Sequence, residues 1–240
     1  MEIGEPFGRS SIFATVSCGN LSFLQGFDSA YDCHFILKCF SRYDIGFSQN
    51  EPQAWEKEML ASDLQRLDLI GIDEKTGFPL FGDTRFIVLG MPPLARLLND
   101  LISTLGWEKA SVIYTRYGYE QGMRTAIQMA DLYDFDTPEE LLKAGCVLQT
   151  MMGQATASLK EIHIDQEKRQ LRFSGTWTNS FESTLWLSQF APGKQPVCCI
   201  ARGMLSGYAS AVIGAEVLVR ETACQAEGNG CCSFEGRTLP

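Results

Sequence analysis

The sequence predicts an α+β fold, a mixed or antiparallel sheet flanked by helices and closed at its C-terminal end by a cysteine knuckle. Three observations carry this. Leu94, Leu97, Leu98, Leu101, Ile102 and Leu105 recur with the helical period and share one stripe. Leu171, Phe173, Gly175 and Trp177 alternate with polar residues, the pattern of a strand with one buried face. Five of the nine cysteines fall between positions 198 and 232.

Residues 1–60 show no clean period: 22–47 is rich in aromatics and cysteine and 48–58 is polar, so the stretch reads as an N-terminal extension or arm. Residues 67–72 and 78–81 form a hairpin, because Asp73-Glu74-Lys75-Thr76-Gly77 between them is turn chemistry. Pro92-Pro93 opens the leucine-striped helix, since a first turn leaves its N–H groups unbonded anyway, and Gly106 ends it. Residues 108–133 form a second, longer helix. A third starts at Thr137-Pro138-Glu139-Glu140, with Thr137 as N-cap and Glu140 completing a capping box, and runs to about 152. Strands at 157–165 and 170–178 flank the turn Gln166-Glu167-Lys168-Arg169. Beyond a polar loop at Pro192-Gly193-Lys194, residues 197–215 form a helix on which Gly203, Gly207, Ala211 and Ala215 recur every four residues, a small-residue seam for close packing. Residues 217–221 are a strand, and 231–235 pairs with it.

Composition excludes several roles. At 240 residues and 45% hydrophobic, the chain suits one large domain, or a domain with an extension, and its fifteen phenylalanines can build an apolar pocket. A net charge of −9 repels phosphate backbones and anionic lipid, which argues against nucleic-acid and membrane partners for this segment. The start Met1-Glu2-Ile3-Gly4-Glu5-Pro6 lacks the basic, then apolar, pattern of an export signal. The apolar stretch 203–219 carries Glu216 and reads as a buried helix, so a cytoplasmic location is expected. There is no phosphate-binding Gly-rich loop, no Gly-x-Ser-x-Gly elbow and no His-Glu-x-x-His. With only His34 and His163, a histidine-rich catalytic metal site is disfavoured.

An odd number of cysteines in a large chain without an export signal argues against a disulfide framework. Cys224 ends the run Glu221-Thr222-Ala223-Cys224, and Cys232 follows across Gly228-Asn229-Gly230, a turn able to bring both sulfurs together. Cys198 stands at a helix start, where backbone N–H groups favour a thiolate. Three thiolates and a carboxylate would fill a tetrahedral zinc shell and leave no open position, making the site structural. Spacing alone leaves two matters open. The cysteines could equally be buried free thiols. Either member of the doublets Cys198-Cys199 and Cys231-Cys232 could face a metal.

Several runs resemble the sensor domains of XylR/DmpR-type activators. Phe81-Gly82-Asp83-Thr84-Arg85 is similar to their Leu-Gly-Glu-Gln-Arg, and Gly118-Tyr119-Glu120-Gln121-Gly122 to their Gly-Tyr-Gln-Ser-Gly. Trp177-Thr178-Asn179-Ser180-Phe181-Glu182 is similar to Trp-Ile-Asp-Ser-Phe-Glu. Pro196-Val197-Cys198, Gly207-Tyr208 and the stretch 221–232 resemble a 4-vinyl-reductase-like segment. The likeness covers about 65–240, in order, and Met59 lies about where relatives begin. It implies the effector-sensing part of a sigma-54-dependent transcription activator of aromatic catabolism. Such a part binds a small aromatic effector, represses a downstream AAA+ ATPase when empty, and forms homodimers. It further implies that 61–135 is a helical dimerisation part, with its interface within 60–105, and that 136–240 is the effector-binding part.

The resemblance selects Cys198, Glu221, Cys224 and Cys232 as the ligands of a structural zinc, giving a zinc-stapled knuckle. It departs at Glu227, where relatives often carry another cysteine. It also implies a pocket lined by Gln149, Trp177, Tyr208, Phe173, Gly175, Leu142 and Leu159. Gln149 stands where phenol sensors carry a histidine, and Gly175 where they often carry a bulky aromatic. Gln149 and the Trp177 N–H are therefore expected as the polar handles on a ligand. A cavity enlarged at Gly175 would suit an apolar aromatic larger or less acidic than phenol. Two other readings compete: a module for a tetrapyrrole or another hydrophobic ligand, and a zinc or thiol enzyme.

Overall fold

The computed structural model describes residues 59–66 and 69–240. Apart from Met59 and Leu60, the expected N-terminal extension lies outside the described residues, as do the first two positions of the strand expected at 67–72. A 3-10 turn at Ala61–Arg66 leads to β1 (Ile70–Ile72) and β2 (Pro79–Phe81), the expected antiparallel hairpin. Asp73 closes its turn by accepting from the Lys75 N–H at 2.9 Å and the Thr76 hydroxyl at 2.7 Å. A third short strand, β3 (Thr84–Arg85), has no counterpart in the sequence-based expectation.

α1 (Met91–Leu105) and α2 (Trp107–Leu132) meet at Gly106, whose φ of 78° lets the chain turn sharply between them. α3 (Pro138–Met151) is capped by Thr137, which accepts from the Glu140 N–H at 3.2 Å. The other half of the expected capping box is replaced by a long-range contact. The Glu140 carboxylate accepts from the Ala61 N–H at 3.0 Å and pairs with Lys143, fastening the N-terminal turn to α3.

The main sheet runs β4–β5–β7–β6, with every neighbouring pair antiparallel. Its strands are β4 (Thr156–Asp165), β5 (Gln170–Thr178), β6 (Val217–Ala223) and β7 (Cys232–Thr238). Two helices link β5 to β6. α4 (Phe181–Gln189) is absent from the sequence-based expectation. α5 (Cys199–Ile213) is shorter at both ends than the 197–215 expected, because Cys198 is a non-helical N-cap and Gly214 takes a left-handed φ of 67°.

α5 lies between α2 and the sheet, and the seam explains how closely. A Cβ on Gly203 would lie 2.1 Å from the Thr115 carbonyl oxygen, and one on Gly207 2.0 Å from that of Tyr119. α2 reciprocates with Gly118 and Gly122, where a Cβ would lie 2.2 and 1.9 Å from the Ile200 and Met204 oxygens. The two backbones touch directly, so any side chain at these four positions forces the helices apart. On its other side α5 joins Leu142, Phe173, Trp177, Val219 and Phe234 in the core that covers one face of the sheet.

Candidate functional site

Two buried sites stand side by side, joined by the cross-strand pair Trp177 and Cys232. In the first, Cys198, Glu221, Cys224 and Cys232 each bring one donor atom within 4.8 Å of the others. Local structure does this. Cys198 is the N-cap of α5, and Cys232 begins β7. The register shift between Glu221 and Ala223 bends the end of β6, and the 3-10 turn Gln225–Glu227, stopped by Gly228 at φ 93°, folds the chain back. The doublets are separated by the same geometry. Cys199 is buried near Arg202, 3.8 Å from its guanidinium, and Cys231 is half-exposed.

The cluster is ringed by donors. The Gln225 N–H donates to Cys232 Sγ at 3.2 Å and the Ala226 N–H to Cys224 Sγ at 3.4 Å. The Cys198 N–H donates to Glu221 Oε2 at 3.0 Å, whereas Oε1 is buried and has no hydrogen-bond partner. Burial pushes the Glu221 carboxyl up to about 8. Hydrogen bonds from Cys198 and Cys232 hold the Cys224 thiol far below its ordinary value, and the bond to Cys224 pushes Cys198 up. Three sulfurs and one unpaired carboxylate oxygen make a donor set suited to a soft-to-borderline divalent ion in tetrahedral geometry.

The second site is the aromatic core. The Trp177 Nε1–H donates to Gln149 Oε1 at 3.0 Å, and Gln149 Nε2 donates to the Ala201 carbonyl at 2.9 Å. Both side chains are fully buried. The two expected polar handles are thus bonded to each other and to α5, which corrects the expectation that they are free to hold a ligand. The cavity expected at Gly175 is also filled. A Cβ there would lie 2.3 Å from the Ser158 oxygen and 2.4 Å from the Phe234 ring. Phe234 faces Gly175 across β5 and β7 and stacks on Trp177 with ring centroids 4.3 Å apart. A residue on the next strand occupies the volume that the missing side chain would have filled.

Phe173 packs edge-on against Phe234, and Leu142 is fully buried in the same cluster. The Tyr208 ring lies over Gly145, where a Cβ would come within 2.7 Å of it. Its hydroxyl is buried without a partner, and burial raises its pKa far above the usual phenol value. Leu159, half-buried opposite Gly175, lines with Cys146, Val147 and Ala157 an open groove of about 420 Å³ between α3 and β4. Burial pushes the Cys146 thiol up to about 12, leaving it unreactive.

Sequence reasoning missed Phe234, Ser180, Glu182 and Ser183. Glu182, buried, accepts from the Ile200 N–H at 2.8 Å and the Ala201 N–H at 3.0 Å, satisfying the open end of α5. Burial pushes it up to about 7. The spacing Ser180-x-x-Ser183 ahead of an apolar run was a usable capping signal.

Comparisons with known proteins agree with this architecture. Residues 63–165 match the family model described as activator of aromatic catabolism, and 177–238 match the model of the 4-vinyl-reductase domain. The phenol regulator MopR of Acinetobacter guillouiae is 31% identical over 173 residues, 72% of this chain and 31% of that protein. The transcriptional regulatory protein XylR of Pseudomonas putida is 29% identical over 65% of this chain and 28% of its own length. The chain therefore spans about a third of the curated relatives it matches. The crystal structure of the phenol-responsive sensory domain of the transcription activator PoxR, with phenol, superposes with a TM-score of 0.69. It is 28% identical, and the match covers 74% of this chain and 88% of that one.

Proposed function

Because the chain belongs to the XylR/DmpR-type sensory domains of activators of aromatic catabolism, we propose that it senses a small aromatic effector on behalf of a downstream AAA+ ATPase in a transcription activator. The family is regulatory, not enzymatic. One observation carries the reading: the Tyr208 hydroxyl has no partner in an aromatic core whose other polar groups are paired. An unpaired buried hydroxyl costs about 1–3 kcal/mol, which a ligand atom bonded to it would recover. The effector is a single neutral ring with at most one polar substituent, flanked by Phe173, Trp177 and Leu142. The filled space at Gly175 supports this smaller ring, and the nearby Cys146–Leu159 groove supports entry between α3 and β4. Trp177, Phe173 and Tyr208 are almost fully shielded from solvent, so binding must open the core, as a sensor requires.

The cluster of Cys198, Glu221, Cys224 and Cys232 is assigned a structural zinc ion, supported by the unpaired Glu221 Oε1 beside three sulfurs. When bound, the ion would tie the start of α5 to β6 and β7. Residues 136–240 are the effector-binding part and 61–135 the dimerisation part. Exposed Ile87, Val88, Leu89 and Leu97 support a homodimer through 60–105. Among the described residues no helix is long and apolar enough to cross a membrane, and a cytoplasmic location suits a transcription activator.

Thermal unfolding in the presence of phenol, toluene, biphenyl and hydroxybiphenyl tests the sensor reading. The one-ring compounds raise Tm and the two-ring compounds do not. No shift with any aromatic sinks the proposal. Metal analysis of the same sample gives one zinc per chain; an ion-free protein sinks the zinc assignment.

A further inference from the structure

Ser183 occupies the first turn of α4, and its side chain turns toward the cysteine cluster. Its Oγ lies 3.2 Å from Cys198 Sγ and 3.4 Å from both Cys224 Sγ and Cys232 Sγ. Ser180, the N-cap of the same helix, places its Oγ 3.2 Å from Cys198 Sγ. Both serines are essentially inaccessible to solvent. Capping accounts for Ser180, which accepts from the Ser183 N–H at 3.5 Å. Capping does not account for Ser183, whose hydroxyl meets the three sulfurs together.

Charge gives the reason. Three thiolates and a carboxylate around a divalent ion leave a surplus of two negative charges, in a place from which water is excluded. Such a surplus is costly to bury unless donors surround it. Backbone N–H groups of Gln225 and Ala226 supply two of them. Among the described residues no lysine or arginine forms a salt bridge with Glu221. The remaining sulfur capacity faces α4, where the two hydroxyls are.

We propose that Ser183, assisted by Ser180, is a positioning residue of the metal centre whose hydroxyl donates to the ligand thiolates of Cys198, Cys224 and Cys232. The proposal rests on the zinc assignment. A hydroxyl carries one proton, so Ser183 bonds one sulfur at a time and is shared among the three. The arrangement also joins α4 to the ion. Since Glu182 on the same turn holds the N–H groups of Ile200 and Ala201, the segment 180–183 clamps both the shell and the start of α5.

The test uses the full chain loaded with Zn²⁺ or with Co²⁺ as a spectroscopic stand-in, comparing the wild type with Ser183→Ala, Ser183→Thr, Ser183→Val and Ser180→Ala. Loss of an outer-shell partner typically lowers metal affinity about 10- to 100-fold. Ser183→Ala is expected to lower Zn²⁺ affinity by that factor in chelator competition. It should also move the thiolate-to-Co²⁺ charge-transfer band to lower energy, because sulfurs without a donor are more electron-rich. Ser183→Thr restores both readouts and Ser183→Val, of nearly the same shape, does not. This pair decides the matter even where the alanine variant folds poorly. Ser180→Ala moves the band less, having contact with one sulfur. If the wild type binds the ion and the Thr and Val variants match each other in affinity and spectrum, the proposal is overturned while the zinc assignment stands. A wild type that takes up neither Zn²⁺ nor Co²⁺ overturns both.

Discussion

Trp177 and Cys232 face each other across β5 and β7, yet the two buried sites they anchor solve opposite problems. Around Cys232 every sulfur meets hydrogen-bond donors, and only Glu221 Oε1 is left over, pointing to a missing cation. Around Trp177 the polar atoms pair among themselves, and only the Tyr208 hydroxyl is left over. The first site is an excess of negative charge awaiting a permanent partner. The second is a closed apolar core with one unsatisfied hydrogen bond, which suits a partner that comes and goes. Four experiments separate them, beginning with the largest effect.

Cys224→Ser, or removal of the ion by a chelator, breaks the contrast at its stronger end. Structural zinc supplies folding free energy directly, and here it would join three elements. A loss above about 5 kcal/mol is expected, which for a domain of this size lowers Tm by more than about 10 °C. Calorimetry of the loaded and stripped chain measures it. A stripped protein that melts with the loaded one would make the two sites alike.

Next is Gln149→Ala, on the aromatic side. It leaves the Trp177 N–H and the Ala201 carbonyl buried without partners, and it opens a cavity. The combined cost is about 4 kcal/mol in chemical denaturation. A cost below about 1 kcal/mol would mean that the pair is not closed in solution.

What the sequence disclosed about these sites follows from the range of the contacts involved. The knuckle was legible because its ligands sit on a short chain path with turn glycines, although choosing Cys198 over Cys199 needed the family resemblance. The α1 and α3 starts, and both long strands, were legible from local capping and period. The Gly203 and Gly207 seam was legible, but its partners Gly118 and Gly122 emerge only when α2 and α5 meet. Phe234 filling the place of Gly175 depends on the β5–β7 register, which no single segment encodes. α4 was passed over because three of its anchoring side chains, Ser180, Glu182 and Ser183, are polar and give no apolar period.

The third experiment is a pH series on the metal-loaded protein. Glu182 has a folded value near 7, above its ordinary 4.5. Between those values the folded chain holds a proton that the unfolded chain has released, so stability falls as pH rises from about 4.5 to about 7 and is level beyond. The full loss is about 3 kcal/mol. Glu182→Gln should flatten that part of the curve. In the stripped protein Glu221, raised to about 8, extends the fall by roughly one further pH unit, and zinc should abolish the extension. Identical curves with and without the ion would show that Glu221 does not face the metal.

The smallest expected effect is the most specific to the aromatic core. Tyr208→Phe removes one oxygen and leaves the ring in its bed over Gly145. In most cores the change would cost a hydrogen bond. Here the hydroxyl has none, so the free protein should gain about 1 kcal/mol or be unchanged. Ligands divide by their own chemistry. Toluene, which has no polar atom, should bind both proteins alike. Phenol should lose affinity for Tyr208→Phe by about the worth of one neutral hydrogen bond, roughly five- to tenfold. Calorimetric titration of both ligands into both proteins gives a four-way comparison in which protein stability cancels. Equal loss for toluene and phenol would place the polar recognition elsewhere, with Gln149 the first group to test. A loss confined to phenol would identify the unpaired atom in the aromatic core as the one its effector completes.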